Sequence, residues 1–337
     1  MNKPTLTRFV SHSQQGFSLV ELMIAMTIGF LVVAAVGYVY LGSRQTFRMS
    51  DSMSRMQENA RLAIETLARD VRMAGYVGCG NLQTATITTI ANPPVASISA
   101  ANAITGLDSG VSTANFLGTT ITRPEGDTLS VMGAFGGGVG LVGNLSPSNA
   151  QVQINGNPFG FDVGDVLVVS DCKNADVFSP TSVSGGGTVT MAHANSTNTG
   201  NRVGDYGSDG IVLKMEQYTY FIGINPDLKR ALYRTNVVTG APVGTVELVE
   251  NVWDMQITYG MDTNADGEVD TYGDATAVVT NWQQVLSARI SLLLVSPEDN
   301  IVSSAQTYNF NGGPVNATDK RLYQVLTTTI AVRNRAP

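Results

Sequence analysis

The sequence predicts an α+β chain in which one long amino-terminal helix, half membrane-spanning and half amphipathic, packs on a large antiparallel β-rich domain. Three observations predict it. Residues 22–43 carry no charge, apolar and small residues from Met49 to Ala74 recur at intervals of three and four, and beyond Gly75 the texture changes to short segments rich in Thr, Ser, Asn and Gly. No proline occurs between Pro4 and Pro93, so the helix meets no breaker along its length.

Residues 1–16 are polar, with Lys3 and Arg8 and no acid. The uncharged run that follows is long enough for a helix, rising about 1.5 Å per residue, to cross roughly 30 Å of hydrocarbon. Basic residues before the span agree with the positive-inside rule. A secretory signal peptide has a shorter apolar region that ends in small residues, whereas here the punctuation precedes the apolar part. Glu21 stands alone at the start of the run, where an ionised carboxylate is costly and calls for a partner. One reading has it reach back to the headgroups at the membrane boundary. The sharper one pairs it, between molecules, with a free α-amine created on Phe17 by cleavage after Gly16.

Beyond Arg44 the apolar stripe is Met49, Met53, Met56, Ala60, Ile64, Leu67, Val71 and Ala74, one face of a helix that packs on a sheet. Arg48, Asp51, Arg55, Glu58, Arg61, Glu65 and Arg69 occupy the other faces, many three or four apart with opposite sign. Gly75 is the expected C-terminal stop. Strands are expected at 127–133, 163–170, 211–223, 245–260, 284–296 and 323–333, with shorter strands and loops over 80–120. In the segment 287–296, Ala288, Ile290, Leu292 and Leu294 share one face and Leu293 and Val295 the other, the pattern of a central strand. Residues 185–187 and 194–210 read as exposed loops, and there is no internal repeat.

A net charge of −7 with no basic patch after residue 72 excludes nucleic acid as the main partner. His193 lies in a low-complexity run and reads as a solvated loop residue; with His12 it completes the chain's histidines, too few for a catalytic constellation. An enzyme is therefore not expected. Gly138–Gly143 matches GxGxxG, but Asn144-Leu-Ser-Pro147 follows where a helix would have to start, so a surface turn is the better reading. Cys79 and Cys172 belong to no CxxC pair, which leaves two buried thiols or one disulfide, depending on compartment. In the run Asp262–Asp270, Asp262, Asn264, Asp266 and Asp270 take positions one, three, five and nine of an EF-hand-like loop. Gly267 stands at the sharp turn, and the Glu268 carbonyl is at position seven. The closing glutamate is replaced by Gly273, and strands rather than helices flank the loop. The expectation is weak calcium binding, against the alternative of a plain acidic hairpin.

Gly16-Phe17-Ser18-Leu19-Val20-Glu21 resembles the type III signal sequence of type IV pilins and type II secretion pseudopilins. The resemblance implies removal of residues 1–16 by prepilin peptidase, N-methylation of Phe17, and guidance of filament insertion by Glu21. It divides the chain into a leader (1–16), a membrane and filament-core helix half (17–43), an amphipathic half (44–75) and a globular domain (76–337). Arg69-Asp-Val-Arg-Met-Ala-Gly-Tyr-Val-Gly-Cys79, Ser170-Asp-Cys172, the stretch from Tyr259 to Gly267 and Leu326-Thr-Thr-Thr-Ile-Ala-Val-Arg-Asn-Arg335 are together similar to the PilW family of minor type IV pilins. That family implies a single-pass protein of the inner membrane with a periplasmic domain, which then enters a surface pilus. It also implies a place in a tip or priming complex that initiates pilus assembly and supports adhesion and twitching motility. Its expected partners are other minor pilins, the major pilin, prepilin peptidase, the inner-membrane assembly platform and a tip adhesin. An oxidising periplasm then favours a Cys79–Cys172 disulfide. The alternatives are a J-type minor pseudopilin of type II secretion, or a chain that is itself the pilus-tip adhesin.

Overall fold

The computed structural model describes residues 16–335 except 81, 83–84, 93–97, 110–120, 147–150, 201 and 238–242. The expected leader up to residue 15, and part of the stretch 80–120, lie outside the described residues. The chain forms two compact units, one ending at Asp51 and the other running from Ser52 to Pro337. Helix α1 (Leu19–Met73) contributes to both. In the first unit its large apolar side chains are exposed all round. In the second, Met56, Ala60, Ala63, Leu67, Ala68 and Val71 are buried while Arg61 and Glu65 pair at 2.7 Å on the solvent side. The expected stripe holds from Met56 onward. Met49 and Met53, 38% and 39% exposed, are not covered.

The helix stops where expected. Gly75 sits at φ +77°, and a Cβ there would lie 2.3 Å from Leu82 Cδ1, so both backbone and space require glycine. Its N–H donates to the Met132 carbonyl at 2.7 Å. The Asn334 side-chain amide donates to the carbonyls of Arg72 (3.4 Å) and Ala74 (3.2 Å), capping a helix end 260 residues earlier in the chain.

The strands, in chain order, are β1 (Thr86–Thr89), β2 (Ile104–Leu107), β3 (Thr128–Gly133), β4 (Val139–Gly140), β5 (Gln151–Asn155), β6 (Leu167–Ser170), β7 (Asn174–Phe178), β8 (Ser182–Gly185) and β9 (Thr188–Ala192). They continue with β10 (Ile211–Lys214), β11 (Glu216–Ile224), β12 (Arg230–Asn236), β13 (Val243–Glu250), β14 (Val252–Met261), β15 (Thr271–Gly273), β16 (Val285–Val295), β17 (Thr307–Phe310), β18 (Gly313–Asn316) and β19 (Tyr323–Ala331). A four-residue helix, α2 (Ala275–Val278), follows β15. Two sheets, ordered β13-β12-β11-β3-β2 and β15-β14-β16-β19, bury their inner faces with the α1 stripe. The third large sheet, β1-β7-β6-β10-β4, adjoins the small β5-β9-β8 sheet and has its own cores. Pairing is antiparallel except between β1 and β7.

β16 bears out the alternation read from sequence. Ala288, Ile290, Leu292 and Leu294 join the α1 core, while Leu293 and Val295 pack with Phe310 on the opposite face. Other boundaries moved for local reasons. The expected strand 211–223 is two strands in different sheets, broken at buried Met215, whose N–H donates to the Val166 carbonyl instead. The expected 245–260 strand breaks at Asn251, whose φ of +61° turns the chain from one sheet into another. Residues 163–166 precede the strand proper, because Asp165 accepts the Asp162 N–H in a tight turn.

Residues 194–210 are not a freely exposed loop. Asn198 is buried and pairs through its amide with both main-chain groups of Ser179, at 2.8 Å each, substituting for a strand neighbour. His193 is likewise fully buried, edge-on to Phe178, with both ring nitrogens unpartnered. Burial lowers its pKa, so it is a core residue and not a solvated one.

Cys79 and Cys172 form a disulfide across 93 residues, joining the segment just past α1 to the β6–β7 turn. Replacing both with serine should lower stability by about 2–5 kcal/mol, since a loop this long leaves the unfolded chain much freer. Denaturant melts of oxidised, reduced and double-serine protein measure this. Equal midpoints, or free thiols at both positions after alkylation of protein taken from cells, would contradict the crosslink.

Candidate functional site

The amino-terminal end of α1 is built by four residues. Ser18 is the N-cap: its Oγ accepts the Val20 N–H at 3.3 Å, while the Glu21 carboxylate accepts the Ser18 N–H at 3.0 Å. The Glu21 bond is the acidic half of a Ser-x-x-Glu capping box and the serine caps the second helical N–H, so two N–H groups that a helix otherwise leaves bare are satisfied. The signal for this cap was present in the sequence as Ser18 three residues before Glu21. The carboxylate also lies where the helix dipole favours negative charge. Gly16 and Phe17 precede the helix, and Phe17 is 89% exposed. From there to Phe47 the large apolar side chains are exposed among the described residues. A helix that is apolar on every face belongs in a membrane or in a bundle with other helices.

The acidic loop 262–270 connects β14 to β15 through the Met261–Thr271 pair. Asp262 Oδ1 accepts from the N–H groups of Ala265 (2.6 Å) and Asp266 (3.3 Å), and Oδ2 from that of Gly267 (2.8 Å). Asn264 and Asp266 each accept the N–H two residues on, and Asp270 accepts both the N–H and the hydroxyl of Thr263 at 2.7 Å. These bonds hold the Asp270 pKa below the ordinary range. Glu268 is exposed at position seven. The loop is thus closed by its own backbone. Among the described residues no group of three or more His, Cys, Asp or Glu side chains is gathered as a metal cluster. Asp262 Oδ1 and Asp270 Oδ2 each accept two bonds and are filled, whereas Asp262 Oδ2, both Asp266 oxygens and Asp270 Oδ1 accept one each and keep a lone pair.

Residues 11–37 match the prokaryotic N-terminal methylation motif, and residues 219–334 match the type IV pilus-assembly protein W family. The chain matches a PilW-type minor pilin. No curated protein and no solved structure matches it. The prepilin signal together with the uncovered apolar helix is that of a membrane-anchored pilin, and such a subunit associates with other pilins and the assembly machinery.

The family match begins at β11 and ends at Asn334, and that region grips the end of α1. Asp70, only 2% exposed, accepts a hydrogen bond from the Tyr220 hydroxyl and is paired with Arg69 at 2.9 Å and Arg234 at 3.6 Å. Arg234 stacks over the Tyr218 ring at 4.3 Å. Asn334 caps the helix, and next to it Arg335 donates to the carbonyls of Ala100, Trp282 and Val285, its pKa lowered to about 10 by burial. Sequence reading singled out Arg69–Cys79 and Leu326–Arg335 as separate patches. The structure brings them together. The partners of Asp70 were missed because nothing in a one-dimensional pattern marks a tyrosine and an arginine on distant strands as neighbours of one carboxylate.

Asp70→Ala removes the shared acceptor of this cluster, so that Tyr220 loses the carboxylate it donates to and Arg234 its ion pair. The expected loss is about 2–3 kcal/mol, the range for hydrogen bonds to a charged group, because Arg69 and Arg234 are not themselves buried and keep access to water. Tyr220→Phe, which deletes one hydroxyl, should cost only about 1–2 kcal/mol. Denaturation midpoints at unchanged slope measure both, and equal small losses would show that the cluster contributes little.

Proposed function

We propose that this pilin is a structural subunit, without catalytic chemistry, of a tip or priming complex that initiates pilus assembly and thereby supports adhesion and twitching motility. The observation that carries the reading is a capped, uncovered apolar helix half continuous with a helix half buried in a large domain. The bare half supplies lateral packing with other pilin helices. A domain running from Ser52 to Pro337 suits the end of a filament, where no further subunit has to stack above it. Its disulfide fits an oxidising compartment, consistent with a periplasmic domain before assembly and a surface-exposed one afterwards. Deleting the gene tests the role: few or no surface pili with intact protein secretion supports it. Normal piliation with a secretion defect would instead identify a J-type pseudopilin, and normal piliation with lost attachment a dedicated adhesin.

Processing follows from the same segment. Prepilin peptidase cuts after Gly16 and Phe17 is N-methylated, which places a cationic α-amine one residue before Ser18. Glu21 then has two uses, holding the helix cap and attracting the amine of the next subunit. Intact-mass analysis of membrane-extracted protein should give residues 17–337 plus one methyl group; retention of residues 1–16 in peptidase-competent cells contradicts this. Glu21→Ala should still be cleaved, while pilus number falls by about tenfold or more, because the incoming amine then enters hydrocarbon without its counter-charge, at a cost on the ~2.5–3.5 kcal/mol scale of a lone charge there. Unchanged piliation removes Glu21 from assembly.

Calcium at the 262–270 loop is a separate proposal. The ion takes the carboxylate lone pairs not occupied by backbone N–H groups, with Asp262, Asn264, Asp266 and Asp270 as side-chain ligands and the Glu268 carbonyl at position seven. Lacking a bidentate closing glutamate, affinity should sit near 10⁻⁴–10⁻³ M, roughly the extracellular range. Binding to the folded state alone raises stability by about 2.7 kcal/mol at a hundredfold excess over Kd. Thermal melts of the detergent-solubilised mature chain in calcium, magnesium or chelator should show a calcium-specific rise. No rise up to ~10 mM, or an equal rise in Asp262→Ala/Asp266→Ala protein, leaves a plain acidic turn.

A further inference from the structure

Nearly every sheet edge among the described residues is blunted. The edge strands β1, β2, β4, β5, β8 and β15 are five residues or shorter. β13 is longer, but it is bulged twice against β12 and carries Glu247 and Glu250. Short, bulged or charged edges are the usual protection against pairing with another chain. β19 has none of these devices. It runs nine residues, Tyr323–Ala331, with no charge, no proline and no register shift against β16.

The ladder fixes which of its groups are free. Ser287 lies opposite Ala331, and the Val332 N–H donates to the Leu286 carbonyl at 2.8 Å. In an antiparallel pair this phase turns the N–H and C=O of Gln324, Leu326, Thr328 and Ile330 toward β16, and those of Val325, Thr327, Thr329 and Ala331 away from it. Val325 packs beside the β17–β18 hairpin, and Thr327 lines the same cavity with its hydroxyl bonded to that of Ser291 at 2.8 Å. Thr327, Thr329 and Ala331 are exposed, and among the described residues nothing pairs with their main-chain groups. The ends of this uncharged edge carry exposed cations, Lys320 at one and Arg333 at the other, in a chain whose net charge is −7, while Arg321 is already paired with Asp319 at 3.5 Å.

We propose that the free edge of β19 docks an extended strand of another pilin in the same complex, uncharged along its paired stretch and flanked by acidic residues. This rests on the reading of the chain as part of a multi-pilin complex. Main-chain pairing supplies the attachment and the flanking charges select the partner. Charge also selects against a second copy, since antiparallel self-pairing brings Arg333 of one chain toward Lys320 of the other.

The test places a photo-crosslinking amino acid at Thr327 of the full-length chain in piliated cells, with the same probe at Val246 on β13 as control. An adduct with another pilin from Thr327 and not from Val246 is expected. Thr329→Pro removes an outward N–H without touching the β16 ladder and should reduce that adduct at least about tenfold while the protein is still processed. Thr329→Lys, which leaves the backbone intact, should do the same and serves if the proline variant does not fold. A Thr327 adduct with a second copy only, no adduct, or an adduct indifferent to both substitutions would overturn the proposal. If the gene deletion leaves piliation normal but the Thr327 adduct forms, the priming role fails and the edge stands. Loss of pili on deletion with no adduct sinks the edge alone.

Discussion

The structure depends on burying one face of α1 from Met56 to Ala74. Two sheets turn their inner faces to that stripe, and the largest apolar core of the chain, including Leu67, Tyr220, Tyr259 and Leu292, forms around it. Removing this much apolar surface from water, at roughly 25 cal/mol per Å², is the dominant favourable term in a domain otherwise made of short strands. The same helix has to satisfy a second solvent. Between Leu22 and Ser43 it carries no charge and none of the described residues covers it, so its apolar surface is left for lipid or for neighbouring helices.

The polar chemistry around this helix is concentrated at its two ends. At the start, Ser18 and Glu21 cap backbone N–H groups and leave a carboxylate beside the point where processing is proposed to create an amine. At the finish, Asp70 meets Tyr220 and Arg234, Asn334 caps the last carbonyls, and Cys79 is tied to the β6–β7 turn. On the proposed reading, load in a filament reaches the domain through α1. The crosslinks therefore gather where that load enters. Resistance to such load is governed by the unfolding rate, which long-range ties at one helix end are well placed to slow.

The acidic loop and the buried histidine show how local composition can mislead in opposite directions. Residues 262–270 have calcium-like spacing, yet their carboxylates already organise the turn by accepting backbone N–H groups. His193 sits in a run of Ala, Asn, Ser and Thr that looks solvated. It is buried because β9 continues inward beside Phe178, and because Asn198 pairs with Ser179 and holds the following segment over the core.

The sequence by itself determined the features that depend on neighbours along the chain. These are the uncharged span, the three-and-four stripe, the Gly75 stop, the alternation of β16 and the prepilin signal, because helix and strand periods and glycine's freedom at positive φ act within a few residues. Tertiary structure decided the rest. Which sheet each strand joins turned on breaks at Met215 and Asn251, and the hydrogen bond that Asp70 accepts turned on Tyr220, 150 residues away. That β19 ends a sheet with its outward groups free is likewise invisible in Tyr323–Ala331 itself. A strand's own residues specify its pleat and its faces, but whether it has one neighbour or two is set by where the rest of the chain returns.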